Sequence, residues 1–149
     1  MGETKSADSA QDGKRNTPSA DRLGSWVTIA TRNRDTDQFG HVNHAAMITL
    51  FEEARIALVF RPDLSEDLRS IDLLIASLTF SFHKELRAPG IIRVGSQVTT
   101  IGNSSLTILQ ALFDGETCIA SGEAICVFLD RQSRKPARVG DHARAVLLA

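Results

Sequence analysis

Residues 43–60 read NHAAMITLFEEARIALVF, and this stretch decides the fold. Asn43 is a good N-cap and Pro62 cannot continue a helix, so the pattern predicts a helix from His44 to about Phe60. Wound as a helix, the segment carries apolar side chains on almost every side: Met47, Leu50, Ala54 and Leu58, then Ile48, Phe51 and Val59, with Ile56 and Phe60 opposite. A helix that is apolar nearly all round is a buried one, so the rest of the chain must surround it.

The rest of the chain supplies strands. A first strand is predicted from Ser25 to about Asn33, and from Leu73 onward four long apolar segments are separated by short turns. Short connections of this kind join antiparallel neighbours. The predicted fold class is therefore α+β, with one curled antiparallel sheet wrapped around one long central helix.

Two of these strands have faces of special composition. In the strand that follows Leu73, alternation places five side chains on one face: Leu74, Ala76, Leu78, Phe80 and Phe82. The last strand presents a face of small residues that would let a helix approach closely: Cys118, Ala120, Gly122, Ala124 and Cys126. A curled sheet also leaves edge strands and one uncovered face, so self-association is expected.

Domain organisation follows from composition. Residues 25–149 are predicted to form a single domain, a length that suits one hydrophobic core. Residues 1–24 are rich in Ser, Asp, Lys and Gly, which predicts a disordered N-terminal tail. The tail lacks the apolar core of a signal peptide, and no run elsewhere is long enough to span a membrane, so a cytoplasmic protein with no membrane partner is expected.

Charge and cysteine content exclude several functional classes. The formal net charge of -1 gives no electrostatic basis for binding nucleic acid. The two cysteines, Cys118 and Cys126, lie too far apart along one strand to bond to each other, and two reduced thiols suit a reducing compartment. No metal-ligand spacing of His and Cys occurs, so no metal site is expected.

The loop before the helix concentrates polar chemistry. Residues 35–44 read DTDQFGHVNH, with two acids, two histidines and a glycine beside a buried helix. One interpretation is an ordinary polar turn in which the acids end a strand and cap a turn. The other is an active site, because a carboxylate and the unpaired N–H groups of a helix N-terminus are brought together.

The motifs that carry a family resemblance are Asp37-x-x-Gly40-His41-Val42-Asn43, Glu53-Ala54-Arg55 and the Gly102-to-Ser105 turn. With this layout the chain resembles the hotdog-fold thioesterases, in particular the branch similar to 4-hydroxybenzoyl-CoA thioesterase. The resemblance covers about residues 26–145. It implies hydrolysis of an acyl thioester of coenzyme A or of acyl carrier protein, with no metal or redox cofactor and coenzyme A present only as part of the substrate. It also implies paired subunits, in a homodimer or homotetramer, with active sites at their interface.

The resemblance assigns catalytic roles to five residues. Asp37 occupies the position of the catalytic aspartate and would act as nucleophile or general base. The backbone N–H of His44 would polarise the thioester carbonyl, and Gly40 would let the backbone approach the thioester or supply a positive φ angle. His41 would orient Asp37, contact substrate or transfer a proton, although a histidine satisfied within the loop is an equal alternative. Glu53 is the rival to Asp37, because another hotdog branch uses a helix carboxylate.

Further residues are candidates for binding the substrate. Asn43 is first of all a helix cap, and Thr49 lies on the helix face of Glu53, where small residues leave space. The turn residues Gly102, Ser104 and Ser105 could give backbone contacts to the pantetheine arm. For the phosphates of coenzyme A the sequence offers several cations, of which Arg134 is assigned here: Arg87, Arg93, Arg131, Arg134, Lys135 and Arg138. A solvated basic loop is the alternative for the C-terminal group.

The sequence therefore predicts an acyl-CoA thioesterase. Two alternatives stay open, namely an acyl carrier protein thioesterase and a non-catalytic hotdog protein that binds acyl-CoA. Glu52 and Arg55, three residues apart on the helix, are expected to form a structural pair.

Overall fold

The structure, a computed structural model, describes residues 17–149. Five strands form one antiparallel sheet in the order β1-β3-β4-β5-β2: β1 Ser25–Thr31, β2 Ile71–Phe82, β3 Gly90–Ile101, β4 Ser105–Asp114 and β5 Thr117–Asp130. The long helix α1 spans His44–Val59, between β1 and β2, and a short helix α2 spans Asp141–Leu148. The predicted fold class, a curled antiparallel sheet with one long helix, is confirmed.

Helix α1 begins and ends where the sequence predicts. The side chain of Asn43 accepts a hydrogen bond from the backbone N–H of Ala45 at 2.8 Å, which satisfies one of the free donors of the first turn. Phe60 forms the C-cap, and Pro62 opens a short 3-10 turn that separates α1 from β2. Local sequence signals alone therefore fix both helix ends.

The burial of α1 differs from the prediction. The sheet covers one side of the helix, where the side chains are almost fully buried: Met47, Leu50, Phe51, Ala54, Leu58 and Val59. The opposite side is open, and Ile56 and Phe60 retain 49% and 39% of their accessible surface. The expectation of burial all round is wrong for a single protomer, because five strands curl around only part of the helix circumference.

Two bulges change which side chains share a face. A bulge at Ala76 shifts the register of β2, so Leu74 pairs with Val127 on the outer face, whereas Leu78 pairs with Ala124 on the face toward α1. The predicted common face of Leu74 and Leu78 is therefore wrong. A second irregularity near Ile119 moves Cys118 to the outer face, away from buried Cys126; both cysteines are free, and burial raises the pKa of both thiols.

Gly122 leaves room for the close approach of the neighbouring strand β2. A Cβ at this position would lie 2.7 Å from the Cα of Phe80 and 2.8 Å from its ring, so β2 approaches β5 closely here. The ring of Phe80 in turn stacks on that of Phe51, with centroids 4.2 Å apart. The glycine thus lets an aromatic residue of β2 reach the helix.

The segment before β1 packs on the sheet. Residues 1–16 of the predicted tail lie outside the described residues, and Leu23 is buried on the outer face of the sheet. Trp26 donates a hydrogen bond from its Nε1 to the carbonyl oxygen of Leu23 at 3.0 Å, and both side chains pack over Gly95. The missing side chain of that glycine creates the hollow that they fill.

The apolar surface that remains open follows the edge of the sheet. Strand β2 is an edge strand, and four of its large side chains are more than a third exposed: Leu74, Ile75, Leu78 and Phe82. The outer face beside it is mainly polar, with Thr79, Ser81 and Glu123. Within residues 17–149, no helix is long and apolar enough to cross a membrane.

Candidate active site

A closed loop, residues 37–41, precedes helix α1 and contains three of the predicted catalytic residues. Asp37 accepts hydrogen bonds through Oδ1 from the backbone N–H groups of Phe39 at 2.9 Å and His41 at 3.3 Å. The backbone of Asp37 also pairs with the His41 carbonyl and the Gly40 N–H, at 2.8 and 3.1 Å. Gly40 has φ +80°, a conformation that suits glycine, so its predicted positive φ angle is confirmed.

The loop leaves one carboxylate oxygen of Asp37 available. Only Oδ1 takes part in the closing hydrogen bonds, and Oδ2 has no partner among residues 17–149. The side chain is half-buried, between full exposure and the core. One carboxylate oxygen of Asp37 therefore holds the turn, and the other has no partner in the described residues.

The N-terminus of α1 supplies hydrogen-bond donors beside this loop. Asn43 is held by a bond from its own N–H to the Asp35 carbonyl at 2.9 Å, which ties the helix start to the loop. The backbone N–H groups of His44 and Ala46 have no acceptor in the described part of the chain. They lie at the positive end of the helix dipole and can stabilise a developing negative charge. The His44 ring is exposed and meets the edge of Phe82, with centroids 6.2 Å apart.

The side chain of His41 points to a residue that the sequence analysis missed. Its Nε2 lies 3.0 Å from Oε2 of Glu85 and 3.4 Å from the guanidinium of Arg87. One Nε2 cannot donate to Glu85 and accept from Arg87 at once, and the shorter contact defines the bond. His41 thus contacts Asp37 through its backbone and Glu85 through its ring. No sequence signal marks Glu85, which lies 44 residues further along the chain.

The helix candidates Glu53 and Thr49 lie on the open side of α1. Both are exposed, and Thr49 donates only to the Ala45 carbonyl, at 3.3 Å. Glu53 follows the helix start by nine residues, which is about 13 Å along the axis. The helix rise therefore separates the Glu53 and Asp37 carboxylates within one protomer.

The remaining binding candidates lie at the other end of the helix. The turn at Gly102, Ser104 and Ser105 closes through its own backbone, and Arg144 of α2 donates to the Gly102 carbonyl at 2.7 Å. Helix α2 packs beside Leu58 and Val59, near the C-terminus of α1. One protomer thus does not place this turn at the Asp37 loop.

Arg134 forms an ion pair with Asp72, away from the Asp37 loop. It has a positive φ angle of 59° and forms a short ion pair with Asp72, which also binds Arg131 at 2.9 Å. Hydrogen bonds from the two arginines lower the pKa of the Asp72 carboxyl. The structure gives Arg134 an internal partner and places it beside Phe60, at the C-terminal end of α1.

Comparison with known proteins adds a second line of observation. Residues 31–147 match the profile of the thioesterase-like superfamily. The chain belongs to this superfamily. The uncharacterized protein YsmA of Bacillus subtilis is 25% identical over 122 residues, covering 80% of this chain and 82% of that protein. The acyl-CoA thioester hydrolase YbgC of Escherichia coli O6:H1 is 23% identical over 106 residues, covering 68% and 79%.

Solved structures agree with this family. A predicted thioesterase from Bacillus stearothermophilus superposes with a TM-score of 0.73 at 26% identity, covering 83% of this chain and 92% of that one. The resemblance to hotdog-fold thioesterases inferred from the loop and helix motifs is thereby confirmed. The roles of individual residues remain predictions.

A buried polar network under α1 was not anticipated from the sequence. Arg55 retains only 2% of its accessible surface and donates to the side-chain oxygen of Gln110 at 2.8 Å. The amide nitrogen of Gln110 donates to the Phe51 carbonyl and to the Ser96 hydroxyl, at 3.0 and 2.9 Å. The expected ion pair of Arg55 with Glu52 is not formed in the described chain, although Glu52 is close enough to raise the pKa that burial lowers.

The grooves on the described part of this thioesterase-like domain include one on the outer face of the sheet and one beside α1. The larger, of about 620 Å³, lies on the outer face of the sheet, is lined mainly by hydroxyl groups and does not include the Asp37 loop. The smaller, of about 320 Å³, lies between the C-terminal half of α1 and the start of β2. The smaller groove lies on the open side of the helix that follows the Asp37 loop.

Proposed function

We propose that the protein is an acyl-CoA thioesterase that hydrolyses an acyl-CoA thioester to the free acid and coenzyme A. The observation that supports this most is the pairing of two unsatisfied groups at the start of α1. The Oδ2 of Asp37 and the backbone N–H of His44 lie on adjoining segments, and neither has a partner in residues 17–149. A carboxylate and an oxyanion donor are the groups that thioester hydrolysis requires.

The chemistry admits two routes with the same groups. As a general base, Asp37 would take a proton from a water molecule while that water attacks the thioester carbonyl, and the tetrahedral intermediate would then break its C–S bond and expel the coenzyme A thiolate. As a nucleophile, Asp37 would form a mixed anhydride and release the coenzyme A thiolate, and water would then cleave the anhydride. In both routes the carbonyl oxygen becomes negative, and the His44 N–H at the positive end of the helix dipole stabilises it.

The acyl group is proposed to follow the open side of α1. Strand β2 runs antiparallel to the helix, because Phe82 contacts His44 at one end and Leu74 and Ile75 line a groove with Phe60 at the other. The exposed apolar side chains between these points form an acyl channel, defined here as the space between the open side of α1 and strand β2. Its apolar walls suit a hydrocarbon chain.

A second protomer is proposed to cover this channel. The edge strand β2 offers unpaired backbone groups and exposed apolar side chains, which favour strand pairing with another copy. A homodimer or homotetramer of the 16.2 kDa chain is expected by light scattering. Leu78→Asp, which places a charge on this surface, should shift the mass to that of a monomer.

The proposed activity is tested by release of free thiol. Short, medium, long and aromatic acyl-CoAs are supplied to wild type, Asp37→Asn and Glu53→Gln, with folding checked by circular dichroism. We expect turnover by wild type and Glu53→Gln, and a loss of about 10²–10⁴ in kcat for Asp37→Asn. Loss confined to Glu53→Gln would assign the chemistry to the helix. Saturable acyl-CoA binding without turnover would support a non-catalytic binding protein instead.

A further inference from the structure

The guanidinium of Arg55 has a single side-chain partner in the described chain. Five N–H donors are present, yet the described chain supplies one acceptor, the Gln110 side-chain oxygen. No carboxylate among residues 17–149 comes within ion-pair distance of Arg55. A buried charge without an ion-pair partner is costly, and an anionic ligand would offset that cost.

Arg55 lines a groove. None of its side-chain nitrogens is both fully buried and without a hydrogen-bond partner. Arg55 lines the groove of about 320 Å³ at the far end of the acyl channel. The wall around the guanidinium is largely apolar, made by Ile56, Phe60, Leu73, Leu74 and Ile75. The groove therefore suits a ligand with a hydrocarbon body and one terminal acceptor.

Arg55 accounts for the net positive charge around the groove. Asp72 is already bound by Arg131 and Arg134, so this cluster carries one net positive charge. Glu52 also lines the groove, forms no ion pair in the described part of the chain and offsets that charge, which leaves the charge of Arg55. The guanidinium of Arg55 is desolvated, and hydrogen bonds between a desolvated guanidinium and a carboxylate are strong.

We propose that Arg55 binds a terminal carboxylate on the acyl group, so that the preferred substrates are coenzyme A monothioesters of medium-chain dicarboxylic acids. This inference rests on the proposed thioesterase function and adds the acyl class. The thioester carbon lies at the His44 end of the acyl channel and the distal carboxylate at the Arg55 end.

The length of the acyl group follows from the helix. Arg55 is eleven residues after His44, which corresponds to about 16 Å along the axis. Helix side chains lean toward the N-terminus, by up to about one turn of ~5 Å for a long side chain, so the span is about 11–16 Å. With C–C bonds of ~1.5 Å in an extended zigzag, this span requires roughly nine to thirteen bonds. Acyl groups of about ten to fourteen carbons are therefore expected.

The test compares matched substrate pairs. For each chain length, kcat/KM is measured for the dicarboxylic acid monothioester and for the alkanoyl-CoA of the same carbon number. Wild type should favour the dicarboxylic member about tenfold to a hundredfold, the range expected for a hydrogen bond to a charged group. In Arg55→Met the ratio should fall toward one. In Arg61→Gln, which removes an exposed arginine paired with Asp63 at the same end of α1, the ratio should stay at the wild-type value.

A second variant covers the case in which Arg55→Met does not fold. Gln110→Glu has nearly the same shape and gives Arg55 a counter-ion inside the protein, so the preference for the dicarboxylic member should again disappear. A wild-type ratio near one, with alkanoyl-CoAs turned over, would overturn the inference and leave the thioesterase function standing.

Ligand binding tests the inference if the protein hydrolyses no thioester. If no thioester is hydrolysed, calorimetry with free decanedioic acid and free decanoic acid still decides the inference. Tighter binding of the dicarboxylic acid that is lost in Arg55→Met supports it. Equal affinities, or an Arg55→Met effect seen only as dissociation of the oligomer, would overturn it and point to a second copy of the chain as the partner of Arg55.

Discussion

Two substitutions of Asp37 separate its structural role from its proposed chemistry. In Asp37→Ala both closing hydrogen bonds of the 37–41 loop are lost, whereas Asp37→Asn keeps an oxygen at the position of Oδ1. That amide oxygen can still accept from the N–H groups of Phe39 and His41. The asparagine variant therefore removes the negative charge while it retains the turn.

The magnitudes follow from the geometry of the two bonds. The bond from Phe39 is 2.9 Å long, that from His41 is a weaker 3.3 Å, and water can replace part of both because the loop is half-exposed. We expect Asp37→Ala to lower the free energy of unfolding by about 1–2 kcal/mol. For a chain of 149 residues this corresponds to a fall in Tm of roughly 2–8 °C. Asp37→Asn should cost less than about 1 kcal/mol.

The loss of activity, unlike the loss of stability, should be the same in both variants. Both variants lose the carboxylate, so both should lose about 10²–10⁴ in kcat on the best acyl-CoA, although only the alanine variant is clearly destabilised. Thermal unfolding and thiol release on the same preparations provide the comparison. If Asp37→Asn kept an activity within about threefold of wild type, the carboxylate would serve the turn alone, and the active-site interpretation would fail.

Three further predictions concern the parts of the fold that hold the site. Asn43→Ala removes the cap of α1 and should cost about 1 kcal/mol, with faster hydrogen exchange in the first helical turn. Gly95→Ala places a Cβ within 2.6 Å of Leu23 and 2.9 Å of Trp26, so it should displace the N-terminal segment, shift the emission of the single tryptophan to the red and cost about 1–3 kcal/mol. Asp72 has a lowered pKa in the folded protein, so its stabilising contribution is present above the unfolded pKa of about 4 and is lost as pH falls through the folded value; in acid titrations of unfolding, Asp72→Asn should lack this component.

Local signals were sufficient for the elements next to the site. The Asn43 cap, the apolar run of α1 and Pro62 act over a few residues, and each determines structure where it stands. Gly40 is similar, because a loop that closes between Asp37 and His41 needs a positive φ angle at one position. The sequence could therefore predict the position of the candidate site in the chain.

Non-local pairings could not be predicted in this way. The bond between Arg55 and Gln110 joins residues 55 positions apart, and the side-chain contact of His41 depends on Glu85. The bulge at Ala76 reverses the alternation of β2 without any glycine or proline to mark it. One hint was available for the N-terminal segment, since Gly95 interrupts a strand and a glycine there often allows a close approach.

The distribution of exposed apolar groups connects the fold to the proposed function. Ile56 and Phe60 on α1 and Ile75 on β2 line one groove, and Leu78 is exposed further along the same face of β2. Solvated apolar surface of this kind is unfavourable, and these side chains are neighbours, whereas Phe39, Ile91, Ile125 and Leu148 are exposed elsewhere. A hydrocarbon chain inside the channel and a second protomer over it would remove most of this surface from water together. Substrate binding and self-association are therefore expected to strengthen each other, and saturating acyl-CoA should lower the concentration at which the oligomer dissociates.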